Sequence, residues 1–369
     1  MIVKIERMDH DGRGIAYVNG KITFIANTLP DEIVDIDILV SKKKFNIGKV
    51  NKIIDENKDR ITPICPYFEE CGGCDLMQMT YERELNYKCE KVKDILKKYA
   101  GIDTNLKIVK SDKRENYRNK ITLHYSDNKL GFMKKNSNEI ININECKIAN
   151  NDINKYIKNL LGIKSDFIIR TDTKGKIISS LENNKIIMNI NDLKYQIDIN
   201  SFFQINNNIT EKVFNHILNF IDNVDTALDL YSGVGTLTML ISKKAKKVYG
   251  IEINEYSYNN AIKNIELNKV NNVEFFCGKV EDRIREIKGE IDLIVTDPPR
   301  SGMDNKTINI IKEKKPKKII YMSCEPITLA RDLNLLKDLY EIENITLFDM
   351  FPNTKHVETV CYMIRRDIN

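Results

Sequence analysis

The sequence contains no long apolar run and little proline or glycine, with 8 Pro and 16 Gly in 369 residues. This scarcity excludes a collagen-like or low-complexity chain, and 42% hydrophobic residues exclude a disordered one. No segment approaches the roughly 18 consecutive apolar residues that a membrane span needs, and the start (MIVKIERMDHDGRG) lacks the apolar stretch of a secretion signal. We therefore expect a globular, cytoplasmic chain of two or three domains with no membrane partner.

Charge of neither sign dominates the chain. Its 58 Lys and Arg stand against 53 Asp and Glu, a formal net charge of +5. So small an excess permits a polyanionic partner without indicating one. The lysine runs at 42–44 and 314–318 are typical of solvated surface, and nothing in the sequence indicates an obligate protein partner.

Residues 1–58 have the pattern of short alternating strands. Asn19-Gly20 stands between two such segments and predicts a tight hairpin turn, since both residues tolerate a positive φ. The pattern predicts a small OB-like β-barrel. Its strands alone do not decide whether it binds an oligonucleotide, binds a peptide or is purely structural.

Residues 59–205 are predicted to form a central domain. A cysteine-rich loop comes first, then an amphipathic helix over 81–99, then a second β-rich unit. Cys65, Cys71 and Cys74 are crowded into the loop, whereas the other five cysteines are scattered. In a cytosolic chain such crowding favours metal binding over disulfides, and the spacing alone allows zinc or iron.

Residues 206–369 alternate between helices and short apolar strands. This order predicts a Rossmann-like, doubly wound α/β domain with a mostly parallel sheet. Two final strands, near 342–348 and 357–364, are expected to close the sheet as an antiparallel pair.

The first strand of this domain ends in a glycine-bearing loop. Gly233 and Gly235 allow close backbone approach to a ligand over the following helix, and Glu252 ends the next strand, where a carboxylate can accept ribose hydroxyls. Thr238 occupies the third glycine position of a dinucleotide fingerprint. The departure favours S-adenosylmethionine, which has no pyrophosphate, over NAD.

Three further motifs lie where strand ends are expected to meet. Asp297-Pro298-Pro299 is followed by Arg300 rather than an aromatic residue, which disfavours methylation of an exocyclic nitrogen. Cys324 follows a central strand and precedes a helix, a position that favours a nucleophilic thiolate over an inert thiol. Near the C-terminus, either His356 or Glu358 could act as a base.

These motifs resemble those of the RNA uracil-5-methyltransferases, particularly the bacterial 23S rRNA type. The resemblance is carried by Ser323–Pro326 (SCEP), Phe351–Glu358 (FPNTKHVE), Asp297–Arg300 (DPPR) and Ser201–Asn206 (SFFQIN). The opening segments His10–Gly14 (HDGRG) and Leu29–Glu32 (LPDE) resemble the family's TRAM domain, an RNA-binding barrel. The resemblance spans nearly the whole chain and implies an RNA partner.

The resemblance also implies roles for individual residues. It implies Cys324 as the nucleophile that adds to C6 of uracil, and Glu358 as the base that removes the C5 proton. The implied cofactor contacts are Gln204, Tyr231, Thr236, Glu252, Lys279 and Asp297. The cysteine loop resembles the family's iron–sulfur site, with Cys146 matching the distant fourth ligand and Cys89 as its competitor, which favours [4Fe–4S] over zinc.

Two other functions stay open at this point. The T-loop uridine of tRNA is an alternative target of the same chemistry. The N-terminal barrel is the feature that disfavours this target. A catalytically idle RNA-binding or assembly protein is a different class, which intact Cys324 and Glu358 disfavour.

Overall fold

The N-terminal unit is a six-stranded sheet in the order β1-β5-β6-β4-β3-β2. The computed structural model describes residues 1–160, 162–182, 185–222 and 224–367. The strands of this unit are β1 (Ile2–Lys4), β2 (Arg7–Met8), β3 (Gly14–Val18), β4 (Lys21–Ile25), β5 (Ile33–Ser41) and β6 (Phe45–Asp55). β1 and β2 are two pieces of one segment, so the residues between them join the two ends of the sheet.

The predicted hairpin is confirmed. Val18 pairs with Lys21 across the β3–β4 turn, and Asn19 and Gly20 have φ values of 52° and 74°. Both turn residues therefore adopt the left-handed backbone that Asn-Gly was expected to supply.

The predicted connector helix is also confirmed as α1 (Tyr81–Ala100). Its N-terminus is capped by Thr80, whose side chain accepts a hydrogen bond from Arg83 N–H, and it ends at Gly101 in the left-handed conformation. Val92, Ile95 and Leu96 on its apolar face are fully buried.

The middle of the chain is β-rich, as predicted. A five-stranded antiparallel sheet has the order β10-β9-β8-β11-β12. The elements of this region are β8 (Lys120–Ser126), β9 (Lys129–Met133), β10 (Ile140–Asn142), α2 (Asn151–Lys158), β11 (Phe167–Thr171), β12 (Ile177–Ser179) and the hairpin β13 (Lys185–Ile190) and β14 (Leu193–Asp198).

The C-terminal part forms a mixed eight-stranded sheet in the order β17-β16-β15-β18-β19-β21-β20-β7. Its strands are β7 (Lys107–Val109), β15 (Val224–Leu230), β16 (Ala245–Glu252), β17 (Val273–Cys277), β18 (Leu293–Thr296), β19 (Lys318–Ser323), β20 (Tyr340–Phe348) and β21 (Glu358–Arg365). The helices are α3 (Asn207–Asn219), α4 (Thr236–Ile241), α5 (Glu255–Leu267), α6 (Val280–Arg283), α7 (Asn305–Lys314) and α8 (Pro326–Leu336). β15 to β19 pair in parallel, and β21 is antiparallel to both β19 and β20. The predicted α/β domain with its closing antiparallel pair is thus confirmed.

Two earlier elements join this C-terminal sheet. β7 pairs in parallel with β20 at the sheet edge, and α1 contributes to the same hydrophobic core as α8. The boundary at residue 206 stays a prediction, but the layer built on this sheet includes residues from 81–109.

No helix in the described ranges has the length and apolarity to cross a bilayer.

Candidate active site

A cavity of about 1050 Å³ lies at the carboxyl ends of the parallel strands. β15 pairs with β16 on one side and β18 on the other, so the strand order reverses here and leaves a crevice. Tyr231, Glu252, Lys279 and Asp297 line it, four of the six predicted cofactor residues. The cavity therefore combines the glycine loop, the acidic strand end and the Asp-Pro-Pro loop.

The backbone of the glycine loop wraps closely around this cavity. Tyr231, Gly233 and Gly235 all have positive φ values, of 64°, 56° and 83°. Such a conformation is strained for tyrosine, and strain of this kind concentrates at ligand sites.

The carboxylate of Glu252 is held in place by the backbone. Its Oε2 accepts from Gly233 N–H at 2.8 Å and its Oε1 from Asn254 N–H at 2.7 Å. The carboxylate is thereby oriented at the cavity wall, where its remaining lone pairs can accept the hydroxyls of a ribose.

Thr238 fills the position of the missing third glycine and makes a buried hydrogen bond. Its hydroxyl donates to Asp229 Oδ2 at 2.5 Å. Burial raises the pKa of Asp229 to about 7, and its Oδ1 has no partner among the described residues. Thr238, whose presence at the third glycine position disfavours a dinucleotide site, thus links strand β15 to helix α4.

Gln204 and Thr236, the other two predicted cofactor residues, are not among the residues that line the cavity. Gln204 is buried and its carbonyl accepts from Asn119 Nδ2 at 3.0 Å, while Thr236 begins α4 and its carbonyl accepts from Tyr195 Oη–H at 3.2 Å. Their cofactor roles stay predictions.

The cavity mouth also contains aromatic residues that the sequence analysis did not single out. Phe202 is 71% exposed and Tyr256 is 78% exposed, and both line the cavity. Phe202 lies within the SFFQIN motif, so the sequence could have indicated it as a site residue. Nothing in the sequence indicates Tyr256, because it belongs to the exposed first turn of an ordinary helix.

Cys324, Glu358 and Asp297 are brought together by the strand order. Ser323 pairs with Thr359 across antiparallel β19 and β21, so Cys324 and Glu358 follow as the next facing positions. Asp297 follows β18, which is parallel to β19. A thiol and two carboxyl groups therefore share one end of the sheet.

The electrostatics of this group oppose ionisation. Burial, together with Glu358 and Asp297, raises the pKa of Cys324 to about 12, against the opposing effect of Arg300. The predicted thiolate character of Cys324 at the N-terminus of α8 is contradicted, because its pKa is raised rather than lowered. Removal from water and two neighbouring carboxyl groups outweigh the helix dipole.

Glu358 is the stronger base of the two candidates near the C-terminus. Burial and then Asp297 raise the pKa of Glu358 well above its usual range, and its Oε1 has no partner among the described residues. Burial, Arg300 and Lys91 lower the pKa of His356 to about 3, so this imidazole holds protons poorly near neutral pH. The geometry and the pKa directions both favour Glu358.

Cys65, Cys71, Cys74 and Cys146 line a second cavity, of about 260 Å³. The competitor Cys89 lies instead on α1 against the core under the C-terminal sheet. Burial raises the pKa of Cys74 well above its usual range, so a bound cation would be needed to hold its thiolate. No group of three or more His, Cys, Asp or Glu side chains in the described part of the chain converges on a single ion.

The sheet order, the glycine loop and the cavity at the strand ends define a Rossmann-like methyltransferase fold. Residues 163–366 match the family described as tRNA (Uracil-5-)-methyltransferase, and residues 1–50 match the TRAM domain. The chain belongs to the RNA uracil-5-methyltransferase family and is an S-adenosylmethionine-dependent enzyme that acts on RNA.

Relatives span the full length of the chain. An uncharacterized RNA methyltransferase of Clostridium tetani is 32% identical over 97% of this chain and 95% of its own. One from Staphylococcus epidermidis is 29% identical over 99% and 97%. Among solved structures, the Pyrococcus abyssi tRNA (uracil-54, C5)-methyltransferase in complex with S-adenosyl-L-homocysteine is 24% identical, with a TM-score of 0.80 over 99% of this chain and 100% of that one. The last likeness shows the fold.

Proposed function

We propose that the enzyme methylates C5 of a uridine in RNA through a covalent adduct between Cys324 and C6, with Glu358 as the base. The observation that carries this is the placement at the same strand ends of a thiol and a buried carboxyl group whose Oε1 has no partner among the described residues. C5 of uracil is a poor nucleophile, and addition of sulfur at C6 turns the ring into an enolate whose C5 can attack the sulfonium methyl.

Proton movements follow from the pKa directions. The thiol proton must leave as the bond to C6 forms. Asp297, whose pKa burial raises to about 7, accepts it and returns it when Cys324 leaves, so that Glu358 is kept for the later step. After methyl transfer, C5 carries both hydrogen and methyl. The Glu358 carboxylate removes that hydrogen, the C5–C6 double bond re-forms, and Cys324 leaves.

The first candidate substrate is 23S rRNA, which the motif resemblance supports. The T-loop uridine of tRNA is the second, favoured by a specific observation. The Pyrococcus abyssi structure, named as a tRNA (uracil-54, C5)-methyltransferase, aligns along the whole of this chain. The N-terminal unit therefore does not separate the two substrates. A barrel in residues 1–58 that binds RNA is part of the proposal.

Trapping the adduct tests both chemistry and substrate. The Glu358→Gln variant, incubated with S-adenosylmethionine and either 23S rRNA or tRNA transcripts, should give a covalent RNA–protein band on a denaturing gel. Without its base, the enzyme cannot release the methylated RNA. The band should appear with one RNA class. It should be absent from the double variant that carries both Glu358→Gln and Cys324→Ala. Normal RNA binding without a band would overturn the assigned roles.

Cys65, Cys71, Cys74 and Cys146 are proposed to hold a [4Fe–4S] cluster. Their shared cavity and the motif resemblance support this assignment. Such a cluster would supply structural cross-links between the loop and Cys146, and no step above depends on it.

Metal analysis distinguishes the cluster from zinc. Anaerobically purified protein should contain iron and acid-labile sulfide, which the Cys146→Ser variant should lose and the matched Cys89→Ser variant should keep. Stoichiometric zinc in place of iron would contradict the assignment.

A further inference from the structure

The turn after Cys74 is hydrogen-bonded to the segment that leads into β21. The N–H groups of Asp75 and Leu76 both donate to the carbonyl of Asn353 at 3.0 Å. In return, Lys355 N–H donates to Asp75 Oδ2 at 3.2 Å. Two segments about 280 residues apart in sequence are thus joined by three hydrogen bonds.

Asn353 is fixed from its other sides as well. Its N–H donates to Glu84 Oε1 at 2.7 Å, and its Nδ2 donates to the carbonyl of Arg114 at 2.7 Å. The residue is 1% exposed and has a left-handed φ of 68°. Pro352 is held in the same way, because its carbonyl accepts from Tyr117 Oη–H at 2.9 Å. The segment therefore has little freedom to shift.

Glu358 follows this segment directly. Its side chain is 2% exposed, and its Oε1 accepts no hydrogen bond from the described residues. Since Oε1 has no partner among the described residues, the backbone that enters β21 contributes directly to where the carboxyl group lies. The contacts at Asn353 and Lys355 constrain that backbone.

We propose that Asp75 is a positioning residue for Glu358, and that the turn after the cysteine loop sets where the base stands over the reacting carbon. This rests on the proposed function, in which Glu358 removes the C5 proton. Asp75 touches neither RNA nor cofactor in this scheme. Its carboxylate acts through the Lys355 N–H and the strand that follows.

The proposal predicts a defect in one step. Asp75→Ala frees Lys355 N–H and loosens the segment before Glu358, whereas Cys324 follows a different strand, β19. Methyl transfer should persist, but release of methylated RNA should slow by roughly 10- to 100-fold, the cost of a misplacement of about 1 Å. A covalent, methyl-labelled RNA–protein band should accumulate in a single-turnover experiment, and hydrogen exchange in 353–358 should quicken.

Matched variants separate this effect from general damage. Asp75→Asn keeps an oxygen acceptor for Lys355 N–H and should restore release. Asp172→Ala removes a comparable carboxylate, whose Oδ1 accepts from two backbone N–H groups in a loop of the β-rich unit, and should release RNA like the wild type. If Asp75→Ala loses iron, the Asn353→Gly variant is used in its place. Glycine tolerates the left-handed backbone at this position, and the variant loosens the same segment because the contact with the Arg114 carbonyl is lost.

The outcomes distinguish failure of the proposed chemistry from failure of the positioning role alone. Glu358→Gln is run alongside, and absence of its band refutes the proposed chemistry. A band with Glu358→Gln, together with wild-type release in Asp75→Ala and Asn353→Gly, overturns the positioning role alone. Loss of methyl transfer and release in equal measure in these variants also overturns it, because that is the signature of a general structural defect.

Discussion

Cys324 and Glu358 occupy a pocket whose charge resists the ionisation of both. Burial is the largest cause for both groups. Glu358 and Asp297 also raise the pKa of Cys324, and Asp297 raises that of Glu358. Arg300 is the opposing group, since it lowers the pKa of Cys324 by its charge and by a hydrogen bond. Cys324 is therefore held as a thiol near neutral pH, and the thiolate fraction increases as pH rises.

Replacing Arg300 with glutamine should make Cys324 less reactive. Loss of the cation raises the thiol pKa further, so less thiolate is present at every pH below about 12. Each unit of upward shift slows alkylation about tenfold. Iodoacetamide labelling between pH 7 and 10, followed by peptide mass spectrometry, measures the rate, with Cys277 in the same sample as a reference. Equal or faster labelling of Cys324 would contradict the role of Arg300.

Single residues were predictable where a motif marked them. Cys324, Glu358, Glu252 and Asp297 each lie at a strand end, and the sequence pattern located those ends. The raised pKa of Cys324 was not predictable, because it depends on carboxyl groups 27 positions before and 34 positions after it in the chain. The position of Cys324 before a helix predicts a lowered pKa, which is the wrong direction.

At the scale of elements, the packing of β16 against α4 explains how the glycine loop is shaped. A Cβ on Gly250 would lie 2.3 Å from the Phe275 ring and 3.2 Å from Thr238 Oγ1. A Cβ on Gly235 would lie 2.8 Å from the same ring. Phe275 thus fills the space that two glycines leave, and it packs beside the glycine loop that lines the cavity at the strand ends.

Gly250→Ala should destabilise this unit. The added methyl group forces the ring of Phe275 away from β16, a cost of about 1–3 kcal/mol in the free energy of unfolding. Because the chain has no tryptophan, circular dichroism is the suitable readout of urea unfolding. The double variant Gly250→Ala with Phe275→Leu should lose less than the sum of the two single variants. Strict additivity would show that the ring and the glycine do not interact.

Across the whole molecule, a buried charge network ties α1 to the end of β20. Lys88 Nζ lies 2.8 Å from Glu84 Oε1 and 2.5 Å from Asp349 Oδ1, and all three side chains are fully buried. Tyr81 Oη–H donates to the second oxygen of Asp349 at 2.7 Å. A buried pair of this kind is costly unless every member has a partner, which is the case here.

This network marks the limit of sequence-based prediction for the chain. Periodicity located α1 and placed its apolar face correctly, because both depend on neighbouring residues. It could not show that Lys88 is buried, since Lys88 on a charged helix has the pattern of a solvated side chain. Nor could it show that β7 joins the last sheet, because a three-residue strand pairs with a partner more than 200 residues away.

The pairing of β7 also determines how the β-rich middle of the chain is attached. The chain leaves the catalytic sheet at Val109 and returns at Asn206, and these points are adjacent. Asp349 N–H donates to the Val109 carbonyl at 3.0 Å, and Asn206 Nδ2 donates to Ser111 Oγ at 3.4 Å. Insertions are tolerated best where their ends meet. The residues between Val109 and Asn206 therefore begin and end at neighbouring points beside the C-terminal sheet, so a change in their length need not move either attachment point.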